Sequence, residues 1–152
     1  MKRFEFKLKA LLNFRKHLER MAQQDMAKTV MEIAACEQQI DSLETIHGHS
    51  AQRLELIVEK GVGAKEFKQH QAYIEAVIRM VGEEKEQKFQ LGKVLEKKRL
   101  VLKKRSIDKK AMERLREKQA KAYNQELLGA EQKELDEISS LKKAREISND
   151  IH

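Results

Sequence analysis

The residues best suited to acid–base chemistry are two pairs of neighbouring acids. Glu83 stands beside Glu84, and Asp136 stands beside Glu137. Paired carboxylates can act in catalysis only where a pocket excludes water. Both pairs lie on stretches that look like exposed helix and have no neighbours to form a pocket, so a solvated helix face is the favoured interpretation. No Ser-His-Asp or Cys-His arrangement can be identified either, and we predict that the chain is not an enzyme.

Two further features could bind a metal or form a disulfide. His47 and His49 flank Gly48, but residues two apart on a helix point in different directions, and no third ligand stands at a suitable spacing. We therefore expect no metal and no cofactor. Cys36 is the only cysteine, which excludes a disulfide within one chain. We expect it to pack as a small apolar side chain, and a cystine that links two chains is the alternative.

The strongest electrostatic feature is a basic segment from Lys97 to Lys121. It holds twelve Lys or Arg residues against three acids, a local charge of +9, whereas the whole chain carries +7. Three uses are open: neutralising a nucleic-acid backbone, docking to an acidic protein, or pairing with acids of the first helix. No aromatic residue interrupts the segment to stack on bases, which makes nucleic acid the least favoured use. Its first eight basic residues are Lys97, Lys98, Arg99, Lys103, Lys104, Arg105, Lys109 and Lys110.

A seven-residue repeat predicts the helix that organises the chain. From Leu12 to Ile57, positions spaced alternately three and four residues apart form one stripe along the predicted helix, which we call the seam. Nine of its fourteen positions are apolar. A long helix that packs along another helix has this pattern. We predict the helix over about residues 4–60, which makes it roughly 80 Å long at 1.5 Å per residue. The seam positions are Leu12, Arg15, Glu19, Ala22, Met26, Thr29, Ile33, Cys36, Ile40, Leu43, His47, Ser50, Leu54 and Ile57.

A pair of glycines marks the point where the chain reverses. Gly61 and Gly63 bracket the predicted turn at 61–63. A chain with no proline, six glycines and 38% charged residues is typical of long amphipathic helices and not of sheets. We therefore predict an all-α fold: an antiparallel two-helix coiled-coil hairpin with a short helical segment at the tip, in a single domain over residues 1–152.

Gly82 divides the predicted second half of the hairpin. A tip helix is expected over about residues 64–81 and a long return helix over about residues 83–148. In this arrangement residues near position 4 lie opposite residues near position 136. The alternative is one continuous helix from Ala64, which would extend roughly 25–30 residues beyond the first helix. Matched burial favours the version with the separate tip helix.

The return helix has a less regular apolar stripe than the first helix. Its predicted seam includes polar positions, and two leucines lie beside it. After the seam a change of register is predicted, of the kind that locally unwinds a supercoil. The seam residues are Leu91, Val94, Lys98, Val101, Arg105, Asp108, Met112, Leu115 and Ala122, and the neighbouring leucines are Leu95 and Leu102.

The chain has no recognisable membrane-spanning or secretory segment. No uninterrupted apolar run approaches the roughly 18 residues that a membrane helix needs. Lys7, Lys9 and Arg15 interrupt the apolar stretch near the N-terminus, so it does not form the core of a signal peptide. We expect a cytoplasmic protein.

Three stretches of the chain share their order and spacing with a known protein family. One lies near the start, one follows the turn, and one lies near the end. Together they resemble the flagellar type III export protein family FliJ, and length and helical character agree over essentially the whole chain. The three stretches are Phe4-Glu5-Phe6-Lys7-Leu8 followed by Leu11-Leu12 and Arg15; Gly61-x-Gly63 followed by Phe67, Gln71 and Tyr73-Ile74; and Gln132-Lys133-Glu134-Leu135-Asp136-Glu137-Ile138.

The resemblance implies a function in flagellar type III protein export. Proteins of the FliJ family are antiparallel two-helix coiled coils similar to the central stalk of rotary ATPases. They bind the hexameric export ATPase FliI, contact the export gate protein FlhA and recycle substrate chaperones. By this resemblance the chain would be cytoplasmic, would reach the inner face of the cell membrane through its partners alone, and would not bind nucleic acid. The alternatives are a basic coiled coil that binds nucleic acid and a homodimeric structural coiled coil without a hairpin.

The resemblance also implies two contact sites. The paired chain ends would enter the ATPase ring, and the tip would contact the export gate. For the N-terminal residues, closing the end of the coiled coil is an equally good interpretation. Tyr73 and Val77 could fold back on the hairpin, and Glu84 departs from the family pattern at the lower edge of the tip site. The implied ATPase contacts are Phe4, Phe6, Leu8, Leu11, Arg15, Leu135, Asp136 and Ile138, and the implied gate contacts are Tyr73, Val77 and Met80.

Overall fold

Two helices account for nearly all of the described chain. The computed structural model describes residues 3–151. Helix α1 spans Lys9–Lys60, helix α2 spans Ala64–Ile151, and no strand occurs between residues 3 and 151. The predicted all-α hairpin is confirmed, although α1 begins at Lys9 and not near residue 4. Neither helix contains an apolar stretch long and pure enough to cross a bilayer within this range.

The heptad seam of α1 is the face that α1 buries. All fourteen predicted seam positions are buried or half-buried, and among residues 9–60 only Lys16 and Leu18 join them. Leu12, Cys36, Ile40 and Leu43 are the most buried apolar members of the seam. The predicted register of α1 is therefore confirmed at every position.

The turn between the helices is built on its first glycine. Gly61 has a φ of +83°, in the left-handed region where a residue with a Cβ would be strained. Its N–H donates to the carbonyl of Val58 at 3.1 Å and closes the last turn of α1. The carbonyl of Gly63 accepts from the N–H of Phe67 at 3.0 Å and opens α2. The chain therefore reverses between residues 60 and 64.

Gly82 does not interrupt α2. The helix runs from Ala64 to Ile151 without a break, so the predicted separate tip helix and its boundary at residues 81–83 were wrong. A glycine inside a helix costs about 1 kcal/mol relative to alanine. Val77, Val81 and Glu84 around it face inward and are buried or half-buried, and this packing outweighs the cost. The continuous helix, which was the alternative, is the observed one.

The contacts of the helices fall into two units, described in turn: residues 18–105, called the turn unit, and residues 1–17 with 106–152, called the termini unit. Each is described between residues 3 and 151. The prediction of one domain over the whole chain stays a prediction.

In the turn unit, ion pairs show that the two helices run antiparallel. Lys85 pairs with Glu44 at 3.4 Å, Lys88 with Glu37 at 3.2 Å, and Lys98 with Asp25 at 3.0 Å. As the position on α2 rises, the partner position on α1 falls. The first two pairs are more than 40% exposed on both sides, so each contributes less than about 1 kcal/mol.

In the termini unit, the apolar cluster lies where α1 begins. Phe6, Leu12 and Met112 form its buried centre, and Phe4 and Leu115 pack against it. The ring of Phe4 lies 5.8 Å from the ring of Tyr123. Phe4 is therefore opposite residue 123, and the prediction that it lies opposite residue 136 was wrong. The prediction failed because it assigned residues 64–81 to a separate helix.

The buried face of α2 agrees only in part with its predicted seam. Leu91, Lys98, Arg105, Asp108, Met112 and Leu115 face inward, as predicted, whereas Ala122 is exposed. Between residues 91 and 105, the other half of the seam is formed by Leu95 and Leu102, which are half-buried. Val94 and Val101, which were predicted there, are 39% and 50% exposed. The side chains of Leu95 and Leu102 are longer than those of Val94 and Val101 and reach further across the interface. The face of α2 that carries the two leucines is therefore the one that packs on α1.

A lysine is held inside the seam of the turn unit by three hydrogen-bonding partners. Lys98 Nζ donates to Thr29 Oγ1 at 2.6 Å and to the carbonyl of Asp25 at 3.4 Å, besides its 3.0 Å ion pair with Asp25 Oδ1. Thr29 is only 1% exposed, and its hydroxyl donates to the same Asp25 carbonyl. These bonds form in one register of the helices, because a shifted Lys98 would lose them.

Replacing Lys98 with methionine tests how much this lysine lowers the free energy of unfolding. We expect Lys98→Met to raise the free energy of unfolding by about 1 kcal/mol, since the half-buried cation is replaced by an apolar side chain and Asp25, which is 59% exposed, stays hydrated. Lys98→Glu should lower it, because it places a second anion beside Asp25. Unfolding followed by helical circular dichroism measures both changes. Lys97→Met, at an exposed neighbour, is the control, and a clear loss of stability in Lys98→Met would contradict the expectation.

Candidate protein-binding surfaces

The N-terminal residues of the implied ATPase contact divide into two groups. Phe6 is 8% exposed and Phe4 is half-buried, so both close the end of the helix pair in the way that the alternative interpretation described. Leu8 and Leu11 are 40% and 39% exposed. Only these two leucines of the apolar set present a surface that a partner can reach.

Arg15 holds the two helices of the termini unit together. It occupies a seam position of α1, is half-buried, and donates from Nη1 to the carbonyl of Asp108 at 3.1 Å. The bond fixes the start of α1 against α2, because a guanidinium bond to a helix carbonyl is directional. Arg15 therefore supports the surface formed by Leu8 and Leu11, and it can contact a partner only with its exposed part.

The C-terminal residues of the implied ATPase contact lie on exposed helix. Leu135 is 58% exposed and Ile138 is 61% exposed, and Asp136 lies between them. Every described residue from 131 to 151 is exposed. Since Phe4 lies opposite Tyr123, this part of α2 extends beyond the start of α1, and Leu135 is about 18 Å further along the helix than Tyr123. The two halves of the implied site are therefore separated along α2.

The implied export-gate residues also divide. Tyr73 is 53% exposed and Met80 is 50% exposed, whereas Val77 is 3% exposed. Tyr73 and Met80 are seven residues apart and lie on one side of α2, next to its buried face. Val77 belongs to the core of the turn unit, so it supports this surface from inside and does not form part of it.

Glu84 faces the first helix and not the tip surface. It is half-buried at an inward position of α2, and the thiol of Cys36 forms a hydrogen bond with it. Cys36 is 5% exposed, as expected for a small seam residue. Burial raises the pKa of the Cys36 thiol above its ordinary value of 9.0, and the hydrogen bond and negative charge of Glu84 raise it further. The charge of Lys88 acts in the opposite direction.

The basic segment is used in part inside the molecule. Lys98 is committed to Asp25 and Thr29, and Arg99 pairs with Glu96 of its own helix at 2.8 Å. Arg105 and Lys109 are half-buried on the inward face. The exposed members among the first eight basic residues are Lys97, Arg99, Lys103, Lys104 and Lys110.

A shallow groove in the turn unit was not identified from the sequence. Phe89 is 59% exposed, and Lys93 Nζ lies 4.6 Å from the centre of its ring. Gly92, which has no side chain, lines the bottom of the groove, and Ile40 of α1 lines one of its sides. The signal in the sequence is an aromatic residue three positions before a glycine in a helix, which is too common a pattern to indicate a site.

Among residues 3–151, no three His, Cys, Asp or Glu side chains converge in a way that could hold a metal ion. The candidate sites are instead exposed surfaces with apolar centres and charged surroundings. The fold is an α-helical hairpin of the coiled-coil type, and these exposed surfaces are its candidate protein-binding sites.

Comparison with known proteins identifies the family. A family model described as "Flagellar FliJ protein" matches residues 4–148, and the chain belongs to this family. It is therefore a component of flagellar type III protein export. The fold is similar to that of a putative YscO homolog from Chlamydia trachomatis, with 20% identity, a TM-score of 0.51, and coverage of 91% of this chain and 94% of that chain. A search of curated proteins found no match.

The buried position of Cys36 leads to a prediction about its reactivity. We expect the native thiol to react with an aromatic disulfide reagent at pH 8 at least roughly 100-fold more slowly than an exposed thiol, because the reactive form is the thiolate. The raised pKa also means that the folded state binds this proton more tightly, so its stability falls as pH rises above 9.0. A Cys36→Ala/Ser148→Cys variant supplies the exposed thiol for comparison. Equal rates in the two proteins would contradict the prediction.

Proposed function

We propose that this chain is a non-catalytic, cytoplasmic component of the export apparatus that binds the hexameric export ATPase and the export gate. It helps to deliver substrates or to recycle their chaperones. The proposal rests mainly on the family match over residues 4–148, combined with apolar side chains left exposed at both implied contact sites. Clustered exposed apolar residues mark docking surfaces more often than isolated ones do.

The ATPase contact is proposed at two places on the termini unit. Leu8 and Leu11 form the first, and Leu135, Asp136 and Ile138 form the second. Phe4, Phe6 and Arg15 have a supporting role, since their contacts fix the start of α1 beside α2. In this role the chain resembles the stalk of a rotary ATPase and promotes ring assembly and activity.

The export-gate contact is proposed on the side of α2 formed by Tyr73 and Met80. A half-exposed tyrosine and methionine offer a large apolar area with one polar group, and such residues are enriched in protein interfaces. Val77 holds this face in place from the core. Burial of both exposed side chains by the gate protein would supply most of the binding free energy.

The basic segment is proposed to contact acidic proteins and not nucleic acid. Its exposed lysines surround a helix that carries no aromatic residue between 97 and 121, so bases would have no stacking surface. Substrate chaperones and the ATPase are the proposed partners. Association with the inner face of the membrane would follow from these partners and would be peripheral.

Substitution of the exposed leucines tests the ATPase contact. We expect Leu8→Ser/Leu11→Ser and Leu135→Ser/Ile138→Ser each to weaken binding to the export ATPase at least tenfold, because each pair removes roughly 3 kcal/mol of apolar burial. Titration calorimetry measures binding, and ATP hydrolysis with ring formation measures the effect on the ATPase.

The control for this test is Leu56→Ser, which changes a leucine that is 58% exposed in the turn unit. It should bind and stimulate the ATPase like the unmodified chain. Equal ATPase affinity in both leucine pairs and the control would remove the proposed contact. Helical circular dichroism of each variant shows whether the fold is retained.

Substitution of the two exposed tip residues tests the gate contact. We expect Tyr73→Ala/Met80→Ala to weaken binding to the soluble domain of the export gate at least tenfold without loss of helicity, since neither side chain belongs to the core. The matched control is Leu100→Ala/Ile107→Ala, a pair seven residues apart on the same helix and 67% and 56% exposed. If both pairs bind the gate equally well, the gate contact lies elsewhere.

A further inference from the structure

The exposed end of α2 carries a second seam that nothing in the described chain covers. Between residues 128 and 145 the steps of three and four residues continue without a slip. Apolar residues occupy its first position and its centre, and charged residues occupy the other three positions. Leu128, Leu135 and Ile138 are 64%, 58% and 61% exposed. Such a seam is typical of a helix that pairs with another helix. Its six positions are Leu128, Glu131, Leu135, Ile138, Lys142 and Arg145.

We propose that this seam pairs with the same seam of a second copy of the chain, with the two helices antiparallel. In the pairing, Leu135 faces Ile138 of the second copy and Ile138 faces Leu135 of the second copy. One step further out on each side, Glu131 faces Lys142 of the second copy. At the outer ends, Leu128 lies along the aliphatic part of Arg145 of the second copy. Two apolar layers are thus enclosed by two layers of opposite charge.

The charges determine the orientation. In a parallel pairing in register, Glu131 would face Glu131, and Lys142 would face Lys142, so like charges would meet at the seam on both sides of the apolar layers. In the antiparallel pairing the same residues form two ion pairs that flank the apolar centre. Like charges in contact disfavour the parallel dimer, and the two ion pairs fix the register of the antiparallel one.

The length of the seam sets the strength of the pairing. It covers about five helical turns, or roughly 27 Å. Two apolar layers over this length bury less area than a permanent dimer interface, so the complex is a transient one. It forms at high micromolar concentrations and dissociates on dilution. Leu141, which is 64% exposed beside the seam, adds apolar area next to Glu134 of the second copy.

The pairing does not rest on the proposed function. It needs no other protein, and it is measured on the chain alone. It uses the face that contains Leu135 and Ile138, so a paired copy cannot present that face to the ATPase. Failure to bind the ATPase while dimers still form would contradict the proposed function and not the pairing. Failure to form dimers while the ATPase still binds would contradict the pairing and not the proposed function.

Solution mass tests the proposal on the full chain. Sedimentation equilibrium at 10 to 500 µM should show a reversible monomer–dimer equilibrium, and Leu135→Ser/Ile138→Ser should raise its dissociation constant at least tenfold. The control is Leu100→Ser, which changes a leucine 67% exposed elsewhere on α2 and should leave the equilibrium unchanged. A monomer at every concentration, or a dimer that is indifferent to Leu135→Ser/Ile138→Ser, overturns the proposal.

A charge exchange tests the register. Glu131→Lys alone sets a lysine against Lys142 of the second copy, and Lys142→Glu alone sets two glutamates together, so each should weaken the dimer. The double variant Glu131→Lys/Lys142→Glu restores opposite charges and should restore dimerisation. An unfolded variant would show as lost helicity and would not be rescued by the second change. Absence of rescue in a helical double variant overturns the register.

A spin label tests the orientation. With Cys36→Ala as background, a label on Ser148→Cys should lie about 35 Å from its counterpart in the antiparallel dimer, since the positions are separated by 23 residues along the pair. In a parallel dimer the two labels would lie on the order of 10 Å apart. The short distance overturns the antiparallel pairing, and the long one supports it.

Discussion

The seam of α1 has to be covered along its whole length, and the other features of the fold follow from this requirement. It contains nine apolar residues in fourteen positions, and each of the fourteen is buried or half-buried. A helix with such a stripe is unstable in water unless a second helix packs along it. Gly61 supplies the reversal that lets the same chain provide that helix. The remaining seam positions are polar, so α2 has to provide partners for them as well as apolar area.

Those polar positions limit the stability of the hairpin and specify how it pairs. Thr29 is almost completely buried and accepts a bond from Lys98, and Arg15 donates to the carbonyl of Asp108. In each arrangement a charged group is partly desolvated, and the hydrogen bonds roughly offset the free-energy cost of this desolvation. What they add is a register, because apolar seams alone can slide by a heptad. Glu84 acts across the same interface on Cys36, where it contributes to the raised pKa of the thiol.

The periodicity of α1 allowed its buried face to be predicted residue by residue, since one regular stripe leaves a single choice of face. The same reasoning failed for α2 at Gly82, because the cost of one glycine is smaller than the gain from the inward residues on both sides of it. Val94 and Val101 were preferred to Leu95 and Leu102 because α2 carries apolar residues on several faces, and only the partner helix decides between them. The division of the candidate sites could not be predicted either. Val77 and Met80 are both apolar in the sequence, and which of them is exposed depends on where α1 lies.

The part of α2 beyond Tyr123 is the least covered part of the described chain, and this has a consequence for binding. The segment extends a helix that is already formed and packed, so it does not have to nucleate a new helix. Side chains on its surface bond along the helix, as Gln132 does to Asp136 at 3.1 Å. A partner that covers Leu135 and Ile138 therefore meets an ordered helix and loses little affinity to ordering it. A ring-shaped ATPase and a second copy of the chain would compete for the same face, and the tighter of the two contacts would exclude the other.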